Sequence, residues 1–191
     1  MNEVTLDIET QNTFADIGSN DTAQLLLSVV GVHTSDDNEY RTYTEEELPR
    51  LWPILEHASI IIGFNHKWFD MPVLNRYYAG DCTKFPLFDI MEEVQRIIGF
   101  RPRLDGLAQG TLGKGKSGHG LDAITYWKTG QIEKLKAYCL DDVRLTRALY
   151  DFGAREGYLL LHQRFGAPKK IAVDFARKAA APTAVPLTLG F

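Results

Sequence analysis

The chain of 191 residues carries 45% hydrophobic and 24% charged residues and a net charge of −4, a composition that supports one globular domain with a real core. Its two cysteines, Cys82 and Cys139, match neither a zinc-binding spacing nor a disulfide framework. No apolar run approaches a membrane span, and the acidic start MNEVTLDIET enters a strand at once, unlike a signal peptide, so the expected location is cytoplasmic. The acidic balance gives no global signal for nucleic acid, although bound divalent ions or local lysines reverse a local field.

The first third reads as strands. VTLDI is followed by a polar loop, TQNTFADIGSNDTAQ, and then by the apolar run LLLSVVGVH; the turn residues DDNE precede a third strand, YRTYT. Thr44 and Glu47 have capping-box spacing for a helix over EEELPRLWPILEHA, whose first turns Pro49 and Pro53 make irregular. SIIIGF is short, β-branched and unbroken by polar residues after its serine, the pattern of a fully buried strand. Beyond it MPVLNRYYA reads as helix, PLFDI as a strand end and MEEVQRIIG as helix. The glycine- and lysine-rich run from Leu104 to Gly120 is expected to be a mobile loop, followed by helices over 121–128 and 132–156. Three strands in hairpin order, then alternating helices and strands, predict an α/β fold with a mixed sheet covered by helices. The parallel neighbour of VTLDI should be SIIIGF, since a helical crossover separates them.

The carboxylates raise the functional question. Asp7 and Glu9 lie two residues apart in a strand, so their side chains share a face and repel unless a cation sits between them. On the helix EKLKAYCLDDVRLTRALYDF the apolar stripe runs Leu135, Tyr138, Cys139, Leu145, Leu149 and Phe152, and Asp142 falls within it, four residues after Tyr138. A carboxylate buried there needs compensation, by a structural hydrogen bond or salt bridge or by a metal. Asp141 is rotated about 100° away and reads as a solvated acid. Asp70, in GFNHKWFDMPVL, suits either a helix cap or catalysis, and Asn65 suits a turn at a strand end.

Together, D-x-E at Asp7 and Glu9, NHKWFD from Asn65 through Phe69 to Asp70, and YCLDD from Tyr138 to Asp142 resemble, in order, the three motifs of the DEDD exonuclease superfamily, whose fold is RNase H-like. The Tyr138/Asp142 pair resembles the DEDDy subgroup, because Ala137 stands where the histidine subgroup has its histidine. The motifs are similar to those of proofreading exonuclease domains of family B DNA polymerases and of stand-alone bacterial exonucleases. The resemblance covers about residues 4–150 and implies a sheet of strand order 3-2-1-4-5. It places an exonuclease domain at 1–165 and a C-terminal extension at 166–191, which is loose by composition from about Ala179.

The resemblance further implies a 3′→5′ exonuclease using two Mg²⁺ or Mn²⁺ ions, hard cations suited to oxygen ligands. Asp7 would bridge both ions, Glu9 and Asp142 would hold one, and Asp70 would serve the other. Tyr138 would orient the attacking water; with an ordinary pKa near 10 it is a poor base at neutral pH. Thr10, Phe14, Asn65, Phe69, Lys114 and Lys116 are candidate substrate contacts; Phe14 suits either stacking on a base or packing on the domain. Single-stranded DNA or 3′ ends are the expected substrate, with exoribonuclease activity or non-catalytic nucleic-acid binding on the same fold as alternatives.

Two further motifs carry separate expectations. GTLGKGKS, Gly110–Ser117, fits the P-loop pattern formally, but RPRLDGLAQ before it is not a buried strand and GHGLD after it breaks a helix. Lys114 and Lys116 would then sit on a loop, touching phosphates or merely solvated, with His119 exposed beside them. The terminal PLTLGF resembles the bacterial sliding-clamp-binding peptide Q-L-x-L-x-F at Leu187, Leu189 and Phe191, with Pro186 in place of the glutamine. The alternative is that these residues pack as a terminal strand on the domain's own surface.

Overall fold

The computed structural model describes residues 2–115 and 120–175. Strand β1 (Glu3–Thr10) leads through the short helix α1 (Phe14–Ile17) to β2 (Leu27–Thr34), which turns into β3 (Glu39–Tyr43). Every residue of β2 is buried, because both faces of the sheet are covered there. In the crossover, the Glu47 carboxylate accepts the Thr44 N–H at 3.0 Å, as the capping spacing predicts. Helix α2 (Leu48–Glu56) follows, with Pro49 in its first turn and Leu48, Leu51 and Leu55 buried.

The chain then enters β4 (Ile60–Gly63), which lies parallel to β1. Helix α3 (Asp70–Leu74) comes next, then β5 (Leu87–Asp89), parallel to β4. The sheet order is β3-β2-β1-β4-β5, with β1 central, as expected. The helix expected over 71–79 stops at Leu74, where the Asn75 side chain accepts the Cys82 N–H at 2.8 Å and the chain turns.

Helix α4 (Ile90–Ile98) is followed by α5 (Leu104–Leu112), which corrects the expectation of a mobile loop over its first part, from Leu104 to Leu112. Leu104, Leu107 and Ala108 form a buried stripe at helical spacing. The glycines in this run serve close packing: a Cβ on Gly110 would lie 2.3 Å from the Leu160 carbonyl oxygen. Gly110 therefore lies in the last turn of a helix packed on a strand, and the P-loop pattern has no strand before it.

Helices α6 (Gly120–Lys128) and α7 (Ile132–Glu156) complete the cover. The buried face of α7 runs Leu135, Tyr138, Cys139, Asp142, Val143, Thr146, Leu149, Tyr150 and Gly153. Leu145 and Phe152, expected in that stripe, flank it half-buried.

A hairpin absent from the sequence expectations, β6 (Tyr158–Leu161) with β7 (Lys169–Ala172), follows α7. Just after it, Phe175 is 1% exposed and stacks on Tyr150 at 5.9 Å between ring centroids. The second core thus draws on residues from the segment read as an extension. Lys116, His119, Leu187, Leu189 and Phe191 lie outside the described residues, as does the tail from Ala179. Among the described residues no helix is long and apolar enough to cross a membrane.

Candidate metal centre

The alternation of β1 sends Leu6, Ile8 and Thr10 inward and leaves Asp7 and Glu9 half-buried on the opposite face. Asp7 is opposite Gly31 on β2 and Glu9 is opposite Val29. The register shifts between Glu9 and Thr10, an irregularity of the kind that re-aims a side chain. Helix α7 crosses this face closely, because a Cβ on Gly31 would lie 2.9 Å from the Cys139 Sγ and 3.0 Å from the Val143 Cγ2. Glycine at 31 is what lets the helix carrying Tyr138 and Asp142 settle over the strand carrying Asp7 and Glu9.

The outcome is a cluster in which one carboxylate oxygen each from Asp7, Glu9 and Asp142 all lie within 4.8 Å of one another. Two unit charges at that spacing repel by roughly 3 kcal/mol at an effective dielectric constant near 20, and Asp142 is only 4% exposed. A divalent cation converts that repulsion into attraction. The donor set is entirely carboxylate oxygen, which fits a hard ion such as Mg²⁺ or Mn²⁺. Neighbouring Cys139 turns its Sγ to the Asp7 carbonyl oxygen at 3.5 Å.

Asp70 opens α3 and is 3% exposed. The close cluster is made by Asp7, Glu9 and Asp142, and Asp70 adds to their charge on the buried Cys139 thiol, which is pushed well above its ordinary range by burial first, then by Asp7, Glu9, Asp142 and Asp70. Tyr138 is buried on the same face of α7, one turn before Asp142. Asp141, by contrast, pairs with Arg144 at 2.9 Å on another flank of the helix.

The segment leading to Asp70 is rigidly built. Asn65 adopts a left-handed φ of +67°, and its N–H donates to Asp89 Oδ1 at 2.9 Å while the Lys67 N–H donates to Asp89 Oδ2 at 3.2 Å. His66 is fully buried beneath this turn, its Nδ1 3.4 Å from Asp89 Oδ2. Burial alone would raise the Asp89 pKa, but bonding and charge from His66 and the two N–H groups outweigh it and hold the carboxyl below its usual range. The Arg101 guanidinium donates to the Asn65 amide oxygen. Asp89 and Arg101 were not among the sequence candidates. Asp89 was legible as a helix cap, since D-x-x-E precedes α4 and its carboxylate accepts the Glu92 N–H at 3.2 Å; nothing local signals its grip on Asn65 and Lys67.

The remaining candidates divide. Phe14 and Phe69 meet edge to face at 6.2 Å between centroids, so the loop after Glu9 packs on the segment before Asp70. The Thr10 hydroxyl donates to the Asn12 carbonyl at 2.8 Å. Lys114 lines a cavity of about 480 Å³ with Asp141, Arg144 and Ala148, on the flank of α7 away from Asp142.

The sequence model of the RNase_H superfamily matches residues 4–152 of the chain. No curated protein matches it. Among solved structures, the family B DNA polymerase of the hyperthermophilic archaeon Pyrobaculum calidifontis is similar, with a TM-score of 0.59 and 19% identity over 80% of this chain and 24% of that chain. The chain thus spans about a quarter of the polymerase's length, and the likeness is one of fold.

Proposed function

Because the chain belongs to the RNase H superfamily, we propose that it is a nuclease of the metal-dependent 3′→5′ exonuclease type, removing nucleoside 5′-monophosphates from single-stranded nucleic acid or 3′ ends. The observation that carries this reading is the cluster of Asp7, Glu9 and Asp142 oxygens within 4.8 Å. The fold shared with a DNA polymerase supports a polynucleotide substrate.

Asp7, Glu9, Asp70 and Asp142 are the residues that would hold two Mg²⁺ or Mn²⁺ ions. Bound there, the ions supply Lewis-acid stabilisation of the phosphodiester and lower the pKa of water. The protein's part is positioning. Strand β1 fixes two carboxylates on one face, and α7 fixes the third together with the Tyr138 hydroxyl, which orients the attacking water. The turn from Asn65 to Phe69 sets Asp70 at the start of α3, and the loop after Glu9 would border the 3′ end of the substrate.

The test is digestion of matched end-labelled single-stranded DNA, RNA and mismatched duplexes with Mg²⁺ and with Mn²⁺. The expected result is stepwise shortening from the 3′ end, abolished in Asp7→Ala and reduced in Tyr138→Phe with metal binding retained. Products bearing a 3′-phosphate, or wild-type turnover by Asp7→Ala, would contradict the reading. The DNA and RNA arms decide the sugar.

A further inference from the structure

The turn that delivers Asp70 also holds Trp68 out into solvent. Trp68 is 66% exposed, where a large aromatic side chain ordinarily seeks cover. The turn beneath it is fixed: the Trp68 and Phe69 N–H groups donate to the Asn65 carbonyl at 3.2 and 3.1 Å, and Asp89 grips the Asn65 and Lys67 N–H groups from below. Phe69, the next residue, turns the other way to meet Phe14. Trp68 is therefore an aromatic face held in place on a rigid support, two residues from Asp70.

Beside it opens a cavity of about 550 Å³ lined by Trp68, Glu92, Gln95, Arg96, Gly99 and Arg101, within the size range of ligand sites. Its charge is positive in a chain of net charge −4. Lys67 neutralises Glu92 at 2.6 Å and Arg96 neutralises Glu93 at 3.0 Å. Arg101 donates to the neutral Asn65 amide and, among the described residues, pairs with no carboxylate. The left-over cation and the exposed indole thus share one wall.

We propose that Trp68 and Arg101 form a nucleotide subsite for single-stranded nucleic acid, with a base stacked on the indole and a backbone phosphate at the Arg101 guanidinium. The subsite rests on the nuclease reading and extends it from the reacting end to the strand behind it. An aromatic face beside a free cation is the combination that binds single strands with little regard to sequence.

The experiment is fluorescence anisotropy of a labelled oligothymidylate in Ca²⁺, a readout that needs no hydrolysis. Trp68→Ala should weaken binding about 5- to 150-fold, Trp68→Phe should recover most of it, and Arg101→Gln should flatten the dependence of log affinity on log salt by about 0.7. Phe165→Ala, which removes a still more exposed ring, should bind as the wild type does. Equal affinity of Trp68→Ala and wild type overturns the subsite, whether or not the protein is a nuclease. So does a loss that Trp68→Phe fails to recover. A Trp68-dependent affinity in a protein that cuts nothing would instead sustain the subsite and remove the nuclease reading.

Discussion

Replacing Gly31 by alanine places a methyl carbon 2.9 Å from the Cys139 Sγ, 3.0 Å from the Val143 Cγ2 and 3.4 Å from the Leu140 Cδ2. Comfortable contacts between such atoms lie at about 3.5–4.0 Å, so α7 must retreat from β2 by roughly 0.5–1 Å. Overpacking of this kind costs about 1–3 kcal/mol. For a chain of this size each kcal/mol lowers the melting temperature by about 2–4 °C. Asp7 lies opposite Gly31 in the register, and the displaced helix carries Tyr138 and Asp142. Misplacement of reacting groups by about 1 Å costs on the order of a hundredfold in rate. Hydrolysis of an end-labelled oligonucleotide, measured well below the melting transition, should therefore fall about 10- to 100-fold, more than the stability loss accounts for. Adding Cys139→Ala removes the nearest clashing atom and should restore part of the rate, with Val143 still in contact. A Gly31→Ala protein that melts and turns over like the wild type would show that α7 is not held against the strand at this point.

Asp89→Asn removes the charged acceptor that fixes the turn before Asp70, at a cost of about 1.5–3 kcal/mol. Because the Asp89 pKa is lowered on folding, its carboxylate's contribution is complete above the ordinary carboxylate range, near pH 4, and fades as pH falls through the folded value. Urea melts should show the gap between variant and wild type at pH 7 and its narrowing towards pH 3; a gap of the same size at both would refute the assignment. Mg²⁺ or Mn²⁺ at about 100 times its dissociation constant should stabilise the wild type by about 2.7 kcal/mol, read as a rise in melting temperature, and an identical rise in Asp142→Asn would place the ion elsewhere. Phe175→Ala should cost about 3–5 kcal/mol, because the ring packs on Phe88 at 5.1 Å and on Tyr150; an unchanged thermal melt would mean that the segment after β7 is dispensable to the second core.

Local periodicity made much of the candidate site legible. Alternation along VTLDIET alone puts Asp7 and Glu9 on one face, and the 3.6-residue repeat alone puts Tyr138 and Asp142 on one face of a helix. The parallel pairing of SIIIGF with VTLDI followed from the need for a crossover, whereas the full strand order came from the resemblance to a known family. Glycine was the residue whose meaning the sequence left open. In the run from Leu104 to Gly120 it suggested mobility, whereas Gly110 lies against the Leu160 backbone in a packed helix. Gly31 looked like any residue of an apolar strand until α7 was laid across it. Asp89, legible as a cap, acquired its second role only when β5 paired with β4 and brought it beneath the Asn65 turn. The difference is one of range. Periodicity and capping are set by residues within one or two turns of each other, whereas a close approach of two backbones or a carboxylate shared between distant N–H groups depends on partners some 20 to 110 positions away, which only the folded chain selects.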